Sequence, residues 1–183
     1  MHNLIAPLNP PYAEDIQAIL ANYPQRGGYL LTLFRTFANS KRFLLKGVPN
    51  LLDNESPLTL RQREIVILRV TANLDCEYEW GVHVAAFARA AGFTENQLEA
   101  TRTQMPSAPC WSESEALLLR LVDELSETAT LTGATREAFA RNFTREQQLE
   151  VLALCGAYHT VSFVANAARL EGEPFGAKFP ARM

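Results

Sequence analysis

Four side chains that can exchange protons or electrons occur within residues 64–83: Glu64, Cys76, Glu79 and His83. On a helical wheel Cys76, Glu79 and His83 fall at i, i+3 and i+7, which places them on one face. Glu64 falls in the apolar stripe of the preceding helix, where an unpaired carboxylate would be costly. We therefore predict that all four point into one helical hairpin, and we interpret them as candidate catalytic residues.

Each of these residues also has a structural interpretation. Glu64 can be a core carboxylate paired with an arginine, and Cys76 can be a small buried hydrophobe. Glu79 and His83 can form an ordinary helical pair at i, i+4. The coincidence of all four on one hairpin favours a functional site.

Two chemistries are open to this set. One is reduction of a peroxide through Cys76, which is predicted at a helix N-terminus where the dipole favours the thiolate, with an external thiol as reductant. The other is proton transfer to and from a carbon acid, with His83 as acid/base and Glu64 or Glu79 as its partner. A metal site is less favoured, because di-iron bundles use Glu-x-x-His twice and this chain has Glu-x-x-x-His once. We expect no metal and no cofactor.

Three aromatic residues are candidates for the wall of the pocket. Trp80 and Phe87 share the face of His83, and His159 belongs to a mildly polar stripe of the last helix. That stripe consists of Cys155, His159, Ser162 and Asn166. Its alternative interpretation is a satisfied buried histidine with small neighbours.

The elements that position these residues are predicted to be helices. Thr59 and Gln62 form a capping box before the first helix of the hairpin, and Asp75 is expected to cap the second, with Cys76 in its first turn. We find no convincing strand and predict an all-α fold of about eight or nine helices around the hairpin. Further capping boxes are Thr94 with Gln97, Ser112 with Glu115, and Thr144 with Gln147.

Length and composition narrow the class of protein. The 183 residues predict one domain over 1–183, with its motif-bearing core at about 59–93 and a proline-rich arm over 1–11. The net charge of −3 gives no footprint for nucleic acid or an anionic membrane. With no spanning segment, no signal peptide and only three cysteines, the chain is expected in the cytoplasm.

The spacing of the four residues resembles the alkyl hydroperoxidase D and carboxymuconolactone decarboxylase superfamily. Its peroxidase members carry Glu, then Cys-x-x-Cys, then His three residues beyond the second Cys. Glu64, Cys76 and His83 match in type and spacing, whereas Glu79 stands in place of the second cysteine. The run Tyr78-Glu79-Trp80-Gly81-Val82-His83 is instead similar to the Tyr-Glu-Trp-x-x-His of the decarboxylase members.

The resemblance implies an AhpD-like helical fold that assembles as a homo-oligomer (dimer, trimer or hexamer) and acts on a small molecule. In peroxidase members the second cysteine attacks the peroxide, so Glu79 favours a decarboxylase-like or lyase-like step on a small carboxylated compound. A thiol-dependent alkyl hydroperoxidase or peroxiredoxin-like antioxidant activity through Cys76 is the alternative. A non-catalytic oligomeric interaction protein is the second alternative.

Two further expectations concern residues outside the motif. A dicarboxylic lactone, the substrate that the resemblance implies, requires cationic groups, but the wheel puts Arg63, Arg69 and Arg89 on other faces. Cys110 or Cys155 can replace the missing cysteine only where its Cα lies within about 7 Å of that of Cys76.

Overall fold

The protein is described by a computed structural model that covers residues 5–181. Within those residues the chain forms nine helices and one short hairpin, so the predicted all-α fold class is confirmed. In chain order the elements are α1 (Glu14–Leu20), β1 (Gln25–Arg26), β2 (Tyr29–Leu30), α2 (Thr32–Phe37), α3 (Lys41–Lys46), α4 (Leu60–Asn73), α5 (Glu77–Phe87), α6 (Glu95–Thr103), α7 (Glu113–Thr128), α8 (Gly133–Asn142) and α9 (Arg145–Ala167).

Helix α4 lies at the centre of the fold. It packs against α5, α6, α7 and α9, and every residue from 63 to 72 is buried. Burial of a whole helix surface includes its polar residues, so Arg63, Glu64 and Arg69 all lie inside the protein. Any side chain on α4 with unused hydrogen-bonding groups must therefore find partners on the surrounding helices.

All four predicted capping boxes are present, at Thr59, Thr94, Ser112 and Thr144. In each box the hydroxyl of the cap residue accepts a hydrogen bond from the backbone N–H three residues on. The side chain of that later residue accepts a hydrogen bond from the backbone N–H of the cap residue. The starts of α4, α6, α7 and α9 are therefore determined locally by the sequence.

The turn between α4 and α5 differs from the prediction. Asp75 does not cap α5: it adopts a left-handed backbone with φ of 52°, and Cys76 is itself the N-cap residue. The Cys76 N–H donates to Thr71 O at 2.8 Å and the Asp75 N–H to Ala72 O at 3.3 Å, the paired bonds of a Schellman motif. An aspartate tolerates this left-handed position better than most residues do. Asp75 therefore ends α4 instead of capping α5.

The hairpin of β1 and β2 corrects the expectation of no strand. Gln25 pairs with Leu30 and Arg26 with Tyr29 in antiparallel register. Gly27 and Gly28 form the two-residue turn, both with positive φ, as such tight hairpins require. With two residues in each strand, the hairpin does not change the fold class.

A segment after α9, residues 171–181, crosses α5, and we call it the C-terminal strap. The Ala177 N–H donates to Gly81 O at 3.0 Å. Buried Glu173 accepts hydrogen bonds from Tyr29 Oη at 2.6 Å and Thr32 N at 2.7 Å, and also from Tyr78 Oη. The strap thus joins the β1–β2 hairpin and α2 to the helix that carries the candidate catalytic residues.

The proline-rich arm predicted over 1–11 falls partly outside the described residues, which begin at 5. Its described part contacts α2: the Leu8 N–H donates to Arg35 O at 3.1 Å, and Arg35 Nε donates to Leu8 O at 2.9 Å. None of the helices found within residues 5–181 has the length and apolar character to span a membrane.

Candidate active site

Glu64 of α4 and His83 of α5 meet inside the hairpin. Glu64 Oε2 lies 2.7 Å from His83 Nδ1, and the two residues are 1% and 4% exposed. An ionised carboxylate only accepts hydrogen bonds, so His83 Nδ1 carries the hydrogen. The hydrogen bond fixes the orientation and tautomer of the ring and leaves Nε2 to exchange protons.

Tyr158 of α9 occupies the other side of the imidazole and was not among the predicted site residues. Its hydroxyl lies 2.8 Å from His83 Nε2, and the two rings meet edge to face with centroids 5.1 Å apart. A signal was present, because a tyrosine on an inward helix face needs a hydrogen-bond partner. Tyr158 lies four residues before Ser162 and therefore one helical turn from it, although it is not part of the predicted polar stripe.

The pKa values in this cluster are shifted by burial and by neighbouring charge. Burial raises the pKa of Glu79 to about 7, the charge of His83 opposes that rise, and Glu173 adds to it. Burial alone would lower the pKa of His83, but the charge and hydrogen bond of Glu64 raise it above its usual 6.5. Burial also raises the pKa of Tyr158 well above its ordinary value. His83 and Glu79 can therefore both hold a proton near neutral pH.

Cys76 is a fully buried, protonated thiol at the start of α5. Burial raises its pKa to about 11. The Glu79 backbone N–H and the Ser162 hydroxyl lower this pKa, but they offset only part of the effect of burial. Ser162 Oγ lies near enough to act on the thiol but makes no hydrogen bond of ordinary geometry. The expected lowering of the Cys76 pKa by the helix dipole is thus wrong, because burial outweighs it.

The other two cysteines are also free thiols. Burial raises the pKa of Cys155 to about 12. Cys155 and half-buried Cys110 pack in the cluster around α4 and α7, whereas Cys76 packs in the cluster that includes α2 and α3. In this structure Cys76 is paired with neither of them.

Buried polar atoms without hydrogen bonds concentrate at this site. Among the described residues, eight buried side-chain nitrogen and oxygen atoms have no partner, and four of them belong here. Natural interiors leave few such groups unsatisfied, so a cluster of them indicates a place for water or a polar ligand. The four atoms are Arg63 Nε, Glu64 Oε1, Glu79 Oε1 and Ser162 Oγ.

The three predicted wall residues lie in different places. Phe87 packs on His83, with ring centroids 5.3 Å apart. Trp80 instead donates its indole N–H to Thr101 Oγ1 at 3.0 Å and packs with Leu68 and Ala72. We therefore retain Phe87 in the candidate site and leave Trp80 out.

His159 lies next to Tyr158 in sequence but on a different side of α9. Its Nδ1 is 2.8 Å from Cys155 O, and its ring packs on Phe163, which is 59% exposed. His159 therefore faces the outer surface of α9. Tyr158, instead of His159, lies at the site as part of its wall.

Arg63 reaches the site although the helical wheel places it on another face of α4. Its Nε lies 3.8 Å from Glu64 Oε1, and its charge lowers the pKa of both His83 and Tyr158. A wheel locates the Cβ of a residue, whereas a long arginine side chain extends around the helix. Arg69, by contrast, binds Asp123, and Arg89 is exposed.

No group of three or more His, Cys, Asp or Glu within residues 5–181 is arranged to hold a metal ion. The side chains that meet at the site are two carboxyl groups, an imidazole, a phenol and a guanidinium. Proton transfer is the chemistry that such groups perform.

Comparison with known proteins gives one family match. Residues 44–124 match the Carboxymuconolactone decarboxylase family, and this segment contains Glu64, Cys76, Glu79 and His83. The predicted superfamily resemblance is therefore confirmed. No curated protein matches the sequence.

Solved structures share the fold at low sequence identity. An uncharacterised peroxidase-related protein from Silicibacter sp. TM1040 has a TM-score of 0.77 and 19% identity, over 94% of this chain and 92% of that chain. The debrominase Bmp8 has a TM-score of 0.69 and 16% identity, over 95% and 94%. A protein of unknown function from Agrobacterium tumefaciens, with a suggested role in antioxidant defence as AhpD, has a TM-score of 0.57 and 21% identity. That match covers 64% of this chain and 81% of that chain. Their names cover more than one reaction, so these structures identify the fold alone.

Proposed function

We propose that this protein, a member of the carboxymuconolactone decarboxylase and AhpD-like superfamily, is an acid/base enzyme. Its proposed reaction is the decarboxylation or isomerisation of a small carboxylated compound. The observation that supports this most directly is the buried hydrogen-bonded chain from Glu64 through His83 to Tyr158. It spans three helices, and each of its members has the atom required for the next proton transfer.

The relay works through His83. With the imidazole neutral, Nδ1–H donates to Glu64 and Tyr158 Oη–H donates to Nε2. When His83 takes up a proton, Nε2–H donates to the phenol oxygen instead, and the Tyr158 hydrogen becomes available to a substrate. The negative charge of Glu64 stabilises the imidazolium that forms in between.

Decarboxylation needs a proton donor of this kind. The bond between the carboxyl carbon and its neighbour breaks, CO₂ leaves, and the remaining electron pair is held as an enolate on an adjacent carbonyl group. Tyr158 then protonates the carbon and regains its proton from His83, which is recharged from solvent. Glu79, whose pKa is raised to about 7, serves as a second proton carrier through its unpartnered Oε1.

The state of Cys76 argues against thiol chemistry. A peroxidase requires a thiolate, and burial raises the pKa of this thiol to about 11. Glu79 also occupies the place of the cysteine that attacks peroxide in the peroxidase members. Cys76 is therefore assigned a packing role at the start of α5.

Turnover by wild type and two variants tests this proposal. On a panel of β-keto acids and carboxylated lactones, His83→Ala should lose activity by about a hundredfold or more, while Cys76→Ser should retain most of it. Consumption of hydroperoxide with dithiothreitol is measured in parallel. Peroxide turnover that disappears in Cys76→Ser would refute the acid/base proposal in favour of the redox alternative.

We also propose that the protein acts as a homo-oligomer through the outer face of α9. Leu149, Leu152 and Phe163 are 69%, 41% and 59% exposed. Their separations of three and eleven residues put them on one side of the helix. Large apolar residues aligned on a surface are typical of protein–protein contacts.

A further inference from the structure

Arg63 is a buried cation whose donors are largely unused. Its side chain is 10% exposed. Its recorded hydrogen bond runs from Nη1 to Asp53 O at 3.3 Å, and Nε has no partner within the described residues. The nearest carboxylate, Glu64 Oε1, is 3.8 Å away, beyond hydrogen-bond distance, and is also unpartnered. A guanidinium offers five donors, and within the described residues one hydrogen bond of this guanidinium is formed, from Nη1.

Arg69, six residues further along α4, is a buried arginine whose donors are hydrogen-bonded, and it serves as a comparison for Arg63. Its Nε and Nη2 hold Asp123 at 2.6 and 2.7 Å, and its Nη1 donates to Thr101 O and Gln104 O. The same helix therefore carries one buried arginine with its donors used and one with its donors unused. Arg69 has a hydrogen-bond partner for most of its donors, whereas Arg63 has one hydrogen bond and a long ion pair to Glu64 Oε1 at 3.8 Å. Packing alone does not explain this difference, because buried donors without hydrogen bonds are costly.

We infer that Arg63 is the specificity-determining residue of the site and binds a carboxylate of the substrate through its Nε and Nη2 edge. Nη1 is committed to Asp53 O, which leaves that edge open. Two parallel N–H donors match the two oxygens of a carboxylate, a geometry that lysine cannot supply. The inference deepens the proposed function and rests on it for the identity of the reacting molecule.

The location of Arg63 agrees with this assignment. It neighbours Glu64, and its charge acts on both His83 and Tyr158. A carboxylate bound there would therefore hold the rest of the molecule near the phenol that donates the proton. Glu64 does not compete for the open edge as a hydrogen-bond partner, because its Oε2 is engaged by His83 at 2.7 Å and its Oε1 stays 3.8 Å from Nε.

Binding of succinate, measured by calorimetry, tests the inference without any turnover. Wild type should bind succinate, and the uncharged dimethyl succinate should not bind. Arg63→Gln should weaken succinate binding by at least about tenfold, the effect of losing a charge-assisted pair of hydrogen bonds. Arg89→Gln, which removes the same charge from an exposed position in the turn after α5, should bind as wild type does, and Tyr158→Phe should retain binding.

Two results would overturn the inference. One is equal succinate affinity in wild type and Arg63→Gln. The other is an absence of succinate binding to wild type. Should Arg63→Gln be unfolded by circular dichroism, Arg63→Lys replaces it and must also lose about tenfold, since a point charge cannot reproduce the two-donor edge. Failure of turnover alone would refute the proposed reaction and leave the binding result intact.

Discussion

His83 is hydrogen-bonded on both sides of its ring, by Glu64 at Nδ1 and by Tyr158 at Nε2. Glu64 determines which nitrogen carries the hydrogen, and Tyr158 determines what the free nitrogen contacts. Both partners are buried, so water does not readily replace either one. Loss of a single hydroxyl should therefore change the protonation of His83 in a measurable way.

Tyr158→Phe is expected to lower turnover by about a hundredfold, because the relay loses the group that faces the substrate. His83 Nε2 would also lose its partner, and ¹⁵N chemical shifts of the imidazole should report this without any substrate. Tyr23→Phe is a matched control, since the Tyr23 hydroxyl donates to Leu44 O at 2.6 Å away from the site. Unchanged ¹⁵N shifts and full turnover in Tyr158→Phe would contradict the relay.

Glu79 should make stability depend on pH with an unusual sign. The pKa of this carboxyl rises from 4.5 to about 7 on folding, so the folded state binds the proton more tightly than the unfolded state. The stabilisation is complete below pH 4.5 and is lost as pH rises towards 7, by roughly 1.4 kcal/mol per pH unit. Glu79→Gln cannot ionise, so its free energy of unfolding relative to wild type should increase over this range in urea titrations.

Glu77→Gln serves as the control for that measurement. Glu77 belongs to the same helix, but the Phe179 backbone N–H and Lys178 lower its pKa. Its carboxylate therefore stabilises the fold above pH 4.5 and stops doing so as pH falls, so Glu77→Gln should lose stability at neutral pH. The same pH trend in both variants would show that the Glu79 interpretation is wrong.

At the residue level, local pattern predicted some of the site and missed the rest. Glu64 and His83 were identified because a carboxylate and an imidazole on inward helix faces need partners. Tyr158 was missed because it is 75 residues from His83 in sequence, and a tyrosine among apolar residues resembles ordinary core. The raised pKa of Cys76 depends on burial by α9 and α2, which no local pattern reports.

Among the elements, α5 is held between α4, α9 and the C-terminal strap. Gly81 allows the strap to approach: a Cβ there would be 2.3 Å from Ala177 O. That contact cannot relax cheaply, because the atom that would be displaced belongs to the backbone. The position of the catalytic helix thus depends on a glycine that faces the strap.

Gly81→Ala should destabilise the protein by about 2–4 kcal/mol, since the strap must move away and the Ala177 to Gly81 hydrogen bond is lost. Gly156→Ala is the matched control in α9, where an added Cβ meets no atom within 4 Å. That variant should be more stable than wild type by up to about 1 kcal/mol, through helix propensity. Thermal unfolding of both variants gives the comparison. Equal effects would mean that the strap yields without cost.

The starts of the helices were predictable and their connections were not. Capping boxes are local, so four helix starts could be predicted from adjacent residues. The Schellman motif at Asp75 and the Gly27–Gly28 hairpin depend on backbone conformations that the residue types permit without requiring. The strap has no periodic pattern at all, and only the folded helices determine its course.

For the molecule as a whole, the outer face of α9 should control self-association. Leu152→Glu combined with Phe163→Glu is expected to convert the protein to monomers in sedimentation equilibrium, because charges on an apolar contact face are desolvated when it is buried. Met105→Glu is the control, since Met105 is a comparably exposed apolar residue, 71% exposed, outside α9. A monomeric wild type, or an α9 variant that associates as wild type does, would exclude this face.

The contacts of Glu173 also determine when the molecule is complete. This carboxylate binds Tyr78, which is 95 residues earlier, and Tyr29, which is 144 residues earlier. Closing such long separations is slow relative to forming local helices. During synthesis, α4 and α5 can therefore form before Glu173 has been made. Until then α2 is held to α5 by the Leu33 N–H, which donates to Tyr78 Oη at 2.9 Å, and by apolar packing. Glu173 adds its hydrogen bonds last and so completes an attachment that packing has begun.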